Sequence, residues 1–184
     1  MSQEETSQTF PFTLQAVYIQ KSQLRLADDF EPSVPGQPLL GKFRTVGLQI
    51  TCRESKGLTG DSEGAMIRSC TFATRFEFRY IKPAEDGLIR PEAEEEAYLA
   101  AEITADIAIN YLISVPELPS EEELQKWGTS NVLLHAWPYW REYCHNAMMR
   151  MGLPVSIMPL LQVNTDKPAS QTDRKSTRLN SSHQ

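Results

Sequence analysis

The side chains that could do chemistry in this 184-residue chain are few, and their spacing decides what they can do. Gly36-Gln37-Pro38-Leu39-Leu40-Gly41-Lys42 has the G-x-x-x-x-G-K spacing of a phosphate-cradling loop, whose glycines let backbone amides surround an anion that the lysine neutralises. The next position should offer a hydroxyl to magnesium, but it is Phe43; Pro38 withholds an amide, and a strand pattern rather than a helix follows. The match is a coincidence of spacing. His135, Cys144 and His145 are ligand and nucleophile types, yet at about 100° per residue Cys144 falls on the apolar arc of its helix and the histidines on the polar one. Cys144 reads as a buried structural thiol and the histidines as surface residues. Glu94-Glu95-Glu96 and Glu121-Glu122-Glu123 are runs whose members point different ways, whereas acid–base catalysis needs two carboxylates in distinct environments of one cleft. They read as solvated acidic surface, the second run also complementing a helix N-terminus. No G-x-S-x-G, H-E-x-x-H or spaced cysteine cluster occurs. The expectation is a protein that is no enzyme and holds no metal or cofactor; only a catalytic set scattered over the chain would escape this reading.

Composition narrows the partners. Twenty-four acids against eighteen bases give a formal charge of −6, which disfavours a phosphate-binding surface, so no nucleic-acid partner is expected. No run of about 18 apolar residues is present, so no membrane insertion is expected. Met1 to Thr9 is acidic and polar, unlike a secretory signal, and three cysteines without a CxxC pair suit reduced thiols, so the expected location is cytoplasmic. At 40% hydrophobic and 23% charged, the chain reads as one globular domain over 1–163. Residues 164–184 are polar and aperiodic and are expected to be disordered. Arg174 to Gln184 resembles translated sequencing adapter rather than native sequence, and without its three cations the remaining charge is −9.

Four segments alternate with period two. Phe12, Leu14, Ala16 and Tyr18 share one face, and a bend at Gln20-Lys21-Ser22 precedes Leu24 and Leu26. After a proline-rich loop, Val46, Leu48, Ile50 and Cys52 alternate, and Gly57 to Gly64 closes a hairpin-like connection. Phe72, Thr74, Phe76, Phe78 and Tyr80 form the third strand, followed by a turn over Lys82 to Gly87. The alanines and glutamates of Glu92 to Ser114 suit a helix, but Leu99, Ala101, Ile103, Ala105, Ile107, Ile109, Tyr111 and Ile113 make an unbroken apolar face at period two. A fourth strand is expected, with a helical or irregular lead at Glu92 to Ala97.

Beyond Pro116 and Pro119 the period changes. Ser120 and Glu123 form a capping-box signature for a short helix to about Trp127, which Gly128 ends; a second helix runs from about Asn131 to Met151, stopped by Gly152 and Pro154. Four strands and then helices give an α+β class with a four-stranded antiparallel sheet followed by C-terminal helices. On the second helix Val132, Leu133, Ala136, Trp137, Tyr139, Trp140, Tyr143, Cys144, Ala147, Met148 and Met151 cover an arc on the order of 200°, against the roughly 100° that one core needs. Either the helix is sunk between the sheet and the tail Leu153 to Val163, or it is also buried against another subunit, with Trp137, Trp140, Cys144 and Ala147 at the oligomer interface.

The block Ala136-Trp137-Pro138-Tyr139-Trp140-Arg141-Glu142, continuing to Met151-Gly152-Leu153-Pro154 and Pro159-Leu160, resembles the SecB family of protein-export chaperones. Its Trp-rich form is similar to the divergent SecB-like branch associated with toxin–antitoxin systems, and Phe12 to Tyr18 is similar to the family's first strand. The resemblance implies a homotetramer, a dimer of dimers, that holds unfolded polypeptide or preprotein clients without ATP. It also implies possible docking to the export ATPase or to an antitoxin. A holdase needs adaptable apolar surface rather than a shaped pocket, which Met148, Met149, Met151 and Met158 near Trp137, Trp140 and Phe76 could supply. The tail Leu153 to Leu161 is apolar apart from Ser156, and its prolines keep it out of a regular central strand, making it an irregular rim beside the sheet. Phe76, Phe78, Met148, Met151, Leu153, Ile157 and Met158 are therefore the expected client-binding residues. The rival expectation is a small-ligand or signalling module with Phe72, Phe76, Phe78 and Tyr80 lining a cup.

Overall fold

The computed structural model describes residues 11–56, 66–84, 91–115, 117–158 and 161. The Gly57 to Gly64 connection, the second half of the Lys82 to Gly87 turn, Pro159-Leu160 and 164–184 lie outside them. Strands β1 (Phe12–Leu26), β2 (Leu40–Lys56), β3 (Met66–Ile81) and β4 (Leu99–Ile113) form one antiparallel sheet in the order β1-β4-β3-β2, and one helix, α1 (Glu121–Arg150), follows. The fold is α+β.

Alternation explains the sheet. The odd-numbered apolar residues of β4, from Ala101 to Ile113, are buried on the helix-facing side, opposite Phe72, Phe76, Phe78 and Tyr80 of β3. The expected bend in β1 is a register shift between Ile19 and Lys21, with another between Leu14 and Ala16. A 3₁₀ turn, Glu92–Tyr98, leads into β4. The opposite sheet face is polar and ion-paired: Arg75 grips Asp106 with two bonds of 2.6 and 2.9 Å, Arg79 holds Glu102 at 2.7 Å, and Glu77 pairs with Arg44. The Arg75 guanidinium holds the Asp106 carboxyl below the usual carboxylate range.

The helical region departs from expectation. The short and long helices are one 30-residue helix, and Gly128 lies inside it, buried. A Cβ at Gly128 would stand 2.8 Å from Leu48 and 2.9 Å from the Phe72 ring, so the glycine permits close approach to the sheet rather than ending the helix. At 1.5 Å per residue the helix runs about 45 Å, close to the length of a 15-residue strand, and it lies chiefly over β3 and β4. Three tryptophans dock it. Trp127 packs on Phe12 and Phe72 at 4.3 and 5.3 Å, Trp137 on Phe43 at 4.8 Å, and Trp140 stacks on Phe76 at 5.4 Å. Burying a side chain of that size contributes about 4–6 kcal/mol before the entropy of ordering is counted. Pro138 breaks no buried bond, because it and Leu134, whose carbonyl it leaves free, both lie on the solvent side.

Both helix ends follow local rules. Ser120 Oγ accepts from the Glu123 amide at 3.3 Å and a Glu123 carboxylate oxygen accepts from the Ser120 amide at 2.9 Å, completing the capping box. At the other end Gly152, at φ 69°, turns the chain so that the Leu153 amide donates to the Met148 carbonyl at 2.9 Å.

Three further expectations are corrected. Cys52 and Cys70, directly opposed in β2 and β3 with Cα atoms 4.0 Å apart, form a disulfide; register brought together two cysteines that sequence spacing left unrelated. Glu95 is buried and paired with Lys42 rather than solvated, because its turn folds onto the strand carrying that lysine. His135 is half-buried, its Nδ1 2.7 Å from the Tyr111 hydroxyl, while His145 is exposed as expected.

Candidate functional site

The residues between β1 and β2 pass from one edge of the sheet to the other. The Ala27 amide donates to the Ala100 carbonyl at 2.9 Å, and Lys82 Nζ meets Asp29 at 2.6 Å, fixing the crossing at the end of the central strands. Phe30 anchors the segment in the core, and Gln37 ties it to itself by donating to the Glu31 and Val34 carbonyls. The tail after α1 is held facing it. The Tyr80 hydroxyl donates to the Pro154 carbonyl, and Ser156 sits near Gly41, where a Cβ would stand 2.9 Å from the Phe78 ring. Burial pushes the Tyr80 hydroxyl up to about 12, so it remains a donor at neutral pH.

Between crossing and tail lies a groove of about 300 Å³ lined by Phe30, Pro32, Val34, Leu39, Leu153 and Pro154, among others. Its lining mixes apolar side chains with Gln37 and the backbone of Gly36 and Gly152 and holds no acid, base or nucleophile among the described residues, so what it offers is contact to a chain segment rather than catalysis. The same tail carries Val155 and Ile157 outward, Ile157 being 90% exposed. A second groove of about 300 Å³ lies between β1 and α1, lined by Val17, Ile19, Ile107, Tyr139 and Tyr143 with Glu142 and Asn146. It opens onto an edge strand whose Leu14, Ile19 and Leu24 are exposed on the helix-facing side.

The expected client residues divide sharply. Phe76, Phe78, Met148, Leu153 and Met158 are buried in the core of a single chain, Met151 is half-buried, and Ile157 alone is open. Of the seven, Leu153 lines the groove and the others do not. Trp137, Trp140, Cys144 and Ala147, expected at an interface between subunits, are likewise buried against the chain's own sheet, and burial pushes the Cys144 thiol up to about 12. The wide arc is thus largely covered by sheet and tail, leaving Leu134, Tyr139 and Met149 exposed on α1. The aromatic cup of Phe72, Phe76, Phe78 and Tyr80 does not exist as a cup, because α1 and the tail fill it.

The crossing segment was missed as a groove wall. Its signal was Phe30 and Val34, two apolar side chains in a proline-rich loop that had no other reason to carry them.

No family profile and no curated protein sequence matches the chain. Among solved structures it is similar to a SecB-like chaperone of Mycobacterium tuberculosis, in complex with a ChAD peptide from the HigA1 antitoxin, at a TM-score of 0.57 and 15% identity over 83% of this chain and 91% of that one. The fold is SecB-like.

Proposed function

We propose that this chain is an ATP-independent holdase that binds unfolded polypeptides or preproteins along apolar surface, in the cytoplasm, as a homotetramer built from two dimers. The observation that carries the reading is where the apolar surface remains after folding. With the sheet face filled by α1, apolar side chains remain exposed beside the crossing-and-tail groove and along the β1 edge, as they also do on β2 and the end of its hairpin with β3 (Phe43, Val46, Met66, Ile67). A stable monomer gains nothing from either exposure, whereas a chain-binding oligomer uses both.

The groove takes the client. Its walls come from two irregular segments rich in proline, leucine and valine rather than from a rigid cup, so it accepts side chains of varied shape. The similar mycobacterial fold, in complex with an antitoxin peptide, favours a peptide segment as client. The β1 edge joins subunits: a 15-residue strand whose outer ladder is unpaired among the described residues, with Leu14, Ile19 and Leu24 exposed, pairs with its copy, and Tyr139 and Tyr143 pack across.

The test is suppression of aggregation of an unrelated unfolded protein, without nucleotide, by the whole chain. Binding by apolar burial predicts a negative heat-capacity change and weak dependence on salt. Failure to suppress aggregation, or binding abolished by moderate salt, overturns the reading.

A further inference from the structure

The β2–β3 hairpin runs past the sheet that supports it. β4 pairs with β3 only as far as Ile113 opposite Arg68, while β2 and β3 continue to pair through Ser55 with Ile67 and Lys56 with Met66. The Cys52–Cys70 disulfide sits two residues inside the point where β4 ends. There β2 is an edge strand, laddered on one side alone, and Ile50 and Cys52 are only partly buried. The two half-cystines differ in burial: Cys70 is fully buried, while Cys52, on the edge strand, is only partly so. The third cysteine takes no part: Cys144 lies near Tyr80, ten residues along β3 from Cys70, which is about 33 Å of strand.

We propose that this disulfide is a thiol–disulfide exchange site, and that it staples the projecting end of the hairpin so that reduction loosens this end and leaves the rest of the fold in place. The co-reactant is a dithiol reductant. Its thiolate attacks the sulfur of the less buried half-cystine, Cys52 Sγ; the S–S bond breaks with its electron pair going to Cys70 Sγ, which takes up a proton. The reductant's second thiol then attacks the mixed disulfide and releases Cys52 as a thiol, closing the reductant's own disulfide. Two electrons and two protons pass to the protein, and the dithiol is oxidised. Once the staple is gone, β2 from Ile50 outward is held by one ladder, with Met66 and Ile67 already exposed across from it.

Alkylation and mass spectrometry of the whole chain, before and after dithiothreitol, count the thiols, and hydrogen exchange maps the consequence. The air-purified protein, unfolded in denaturant, should accept one alkyl group and the reduced protein three. On reduction, amides of Ile50–Lys56 and Met66–Phe72 should exchange at least tenfold faster, while those of Leu40–Val46 and the C-terminal half of α1 keep their rates. Cys52→Ser leaves the buried Cys70 in place and should show the fast pattern with or without dithiothreitol. Three thiols in the air-purified protein, exchange at the hairpin end unchanged within twofold on reduction, or acceleration over the whole sheet would each overturn the proposal.

Discussion

Gly128→Ala puts the packing account of the helix to a numerical test. In a solvated helix this change removes a residue of poor propensity and stabilises by about 1 kcal/mol. Here the new methyl would meet Leu48 Cδ2 at 2.8 Å and two Phe72 ring carbons at 2.9 Å. The leucine methyl ends a flexible side chain and can turn aside, but Phe72 is fully buried between Trp127, Phe12 and Tyr111. Overpacking of such a site costs about 1–3 kcal/mol, so the net expectation is a loss of about 1 kcal/mol. In a domain of this size that lowers the thermal midpoint by about 2–4 °C, read by circular dichroism at fixed protein concentration. Thr129→Ala, on the exposed side of the same turn, serves as the reference and should be neutral or slightly stabilising. Phe72→Leu gives the methyl room, so Gly128→Ala should be milder in that background by at least about 0.5 kcal/mol. A full 1 kcal/mol gain for Gly128→Ala in the wild-type background would refute the reasoning and return Gly128 to the role of an unpacked helix residue.

Ile157→Ser should leave the thermal midpoint unchanged and weaken aggregation suppression, whereas Met158→Ser, at a buried position one residue on, should cost about 2–3 kcal/mol; equal effects on stability would contradict the placement of the tail. Alkaline titration should unfold the protein between about pH 9 and 12, because Tyr80 and Cys144 both lie raised above their ordinary values, so the stability they contribute is complete below those values and is lost as pH climbs to about 12; Cys144→Ala should shift the unfolding midpoint upward in pH. Deleting Arg174 to Gln184 should leave the thermal midpoint within error, and a fall of several degrees would show that these residues cover apolar surface.

What the sequence disclosed was what depends on near neighbours. Period two from Leu99 outweighed the helical composition around it, because one buried sheet face fixes every second residue. Ser120 with Glu123, and Gly152, marked the helix ends because capping is settled within a turn. Gly128 misled for the same reason: read locally a glycine stops a helix, and only the sheet surface beneath it shows why none stops there. The Cys52–Cys70 bond and the Lys42–Glu95 pair needed registers and separations that a linear pattern does not contain, 18 and 53 residues respectively. The tail illustrates the limit at the site itself. Leu153, Ile157 and Met158 are equally apolar by type, yet in the tail tied down by the Tyr80 bond to Pro154 the first and last lie buried and Ile157 lies exposed.

The strand order also sets a timetable. Phe12 pairs with Ile113, so the start of β1 leaves the ribosome about a hundred residues before its partner in β4. At roughly 5–20 residues per second that is a wait of about 5–20 s, during which β2 and β3, joined by a short connection, can already close on each other. This order of synthesis lets the sheet grow from its far edge inward, with the first-made strand placed only once β4 is present. Until β4 arrives, Leu14, Val17, Ile19 and Leu24 stand on a nascent chain with both ladders open, so rapid translation of residues 27 to 113 shortens the window in which this protein would itself need a chaperone.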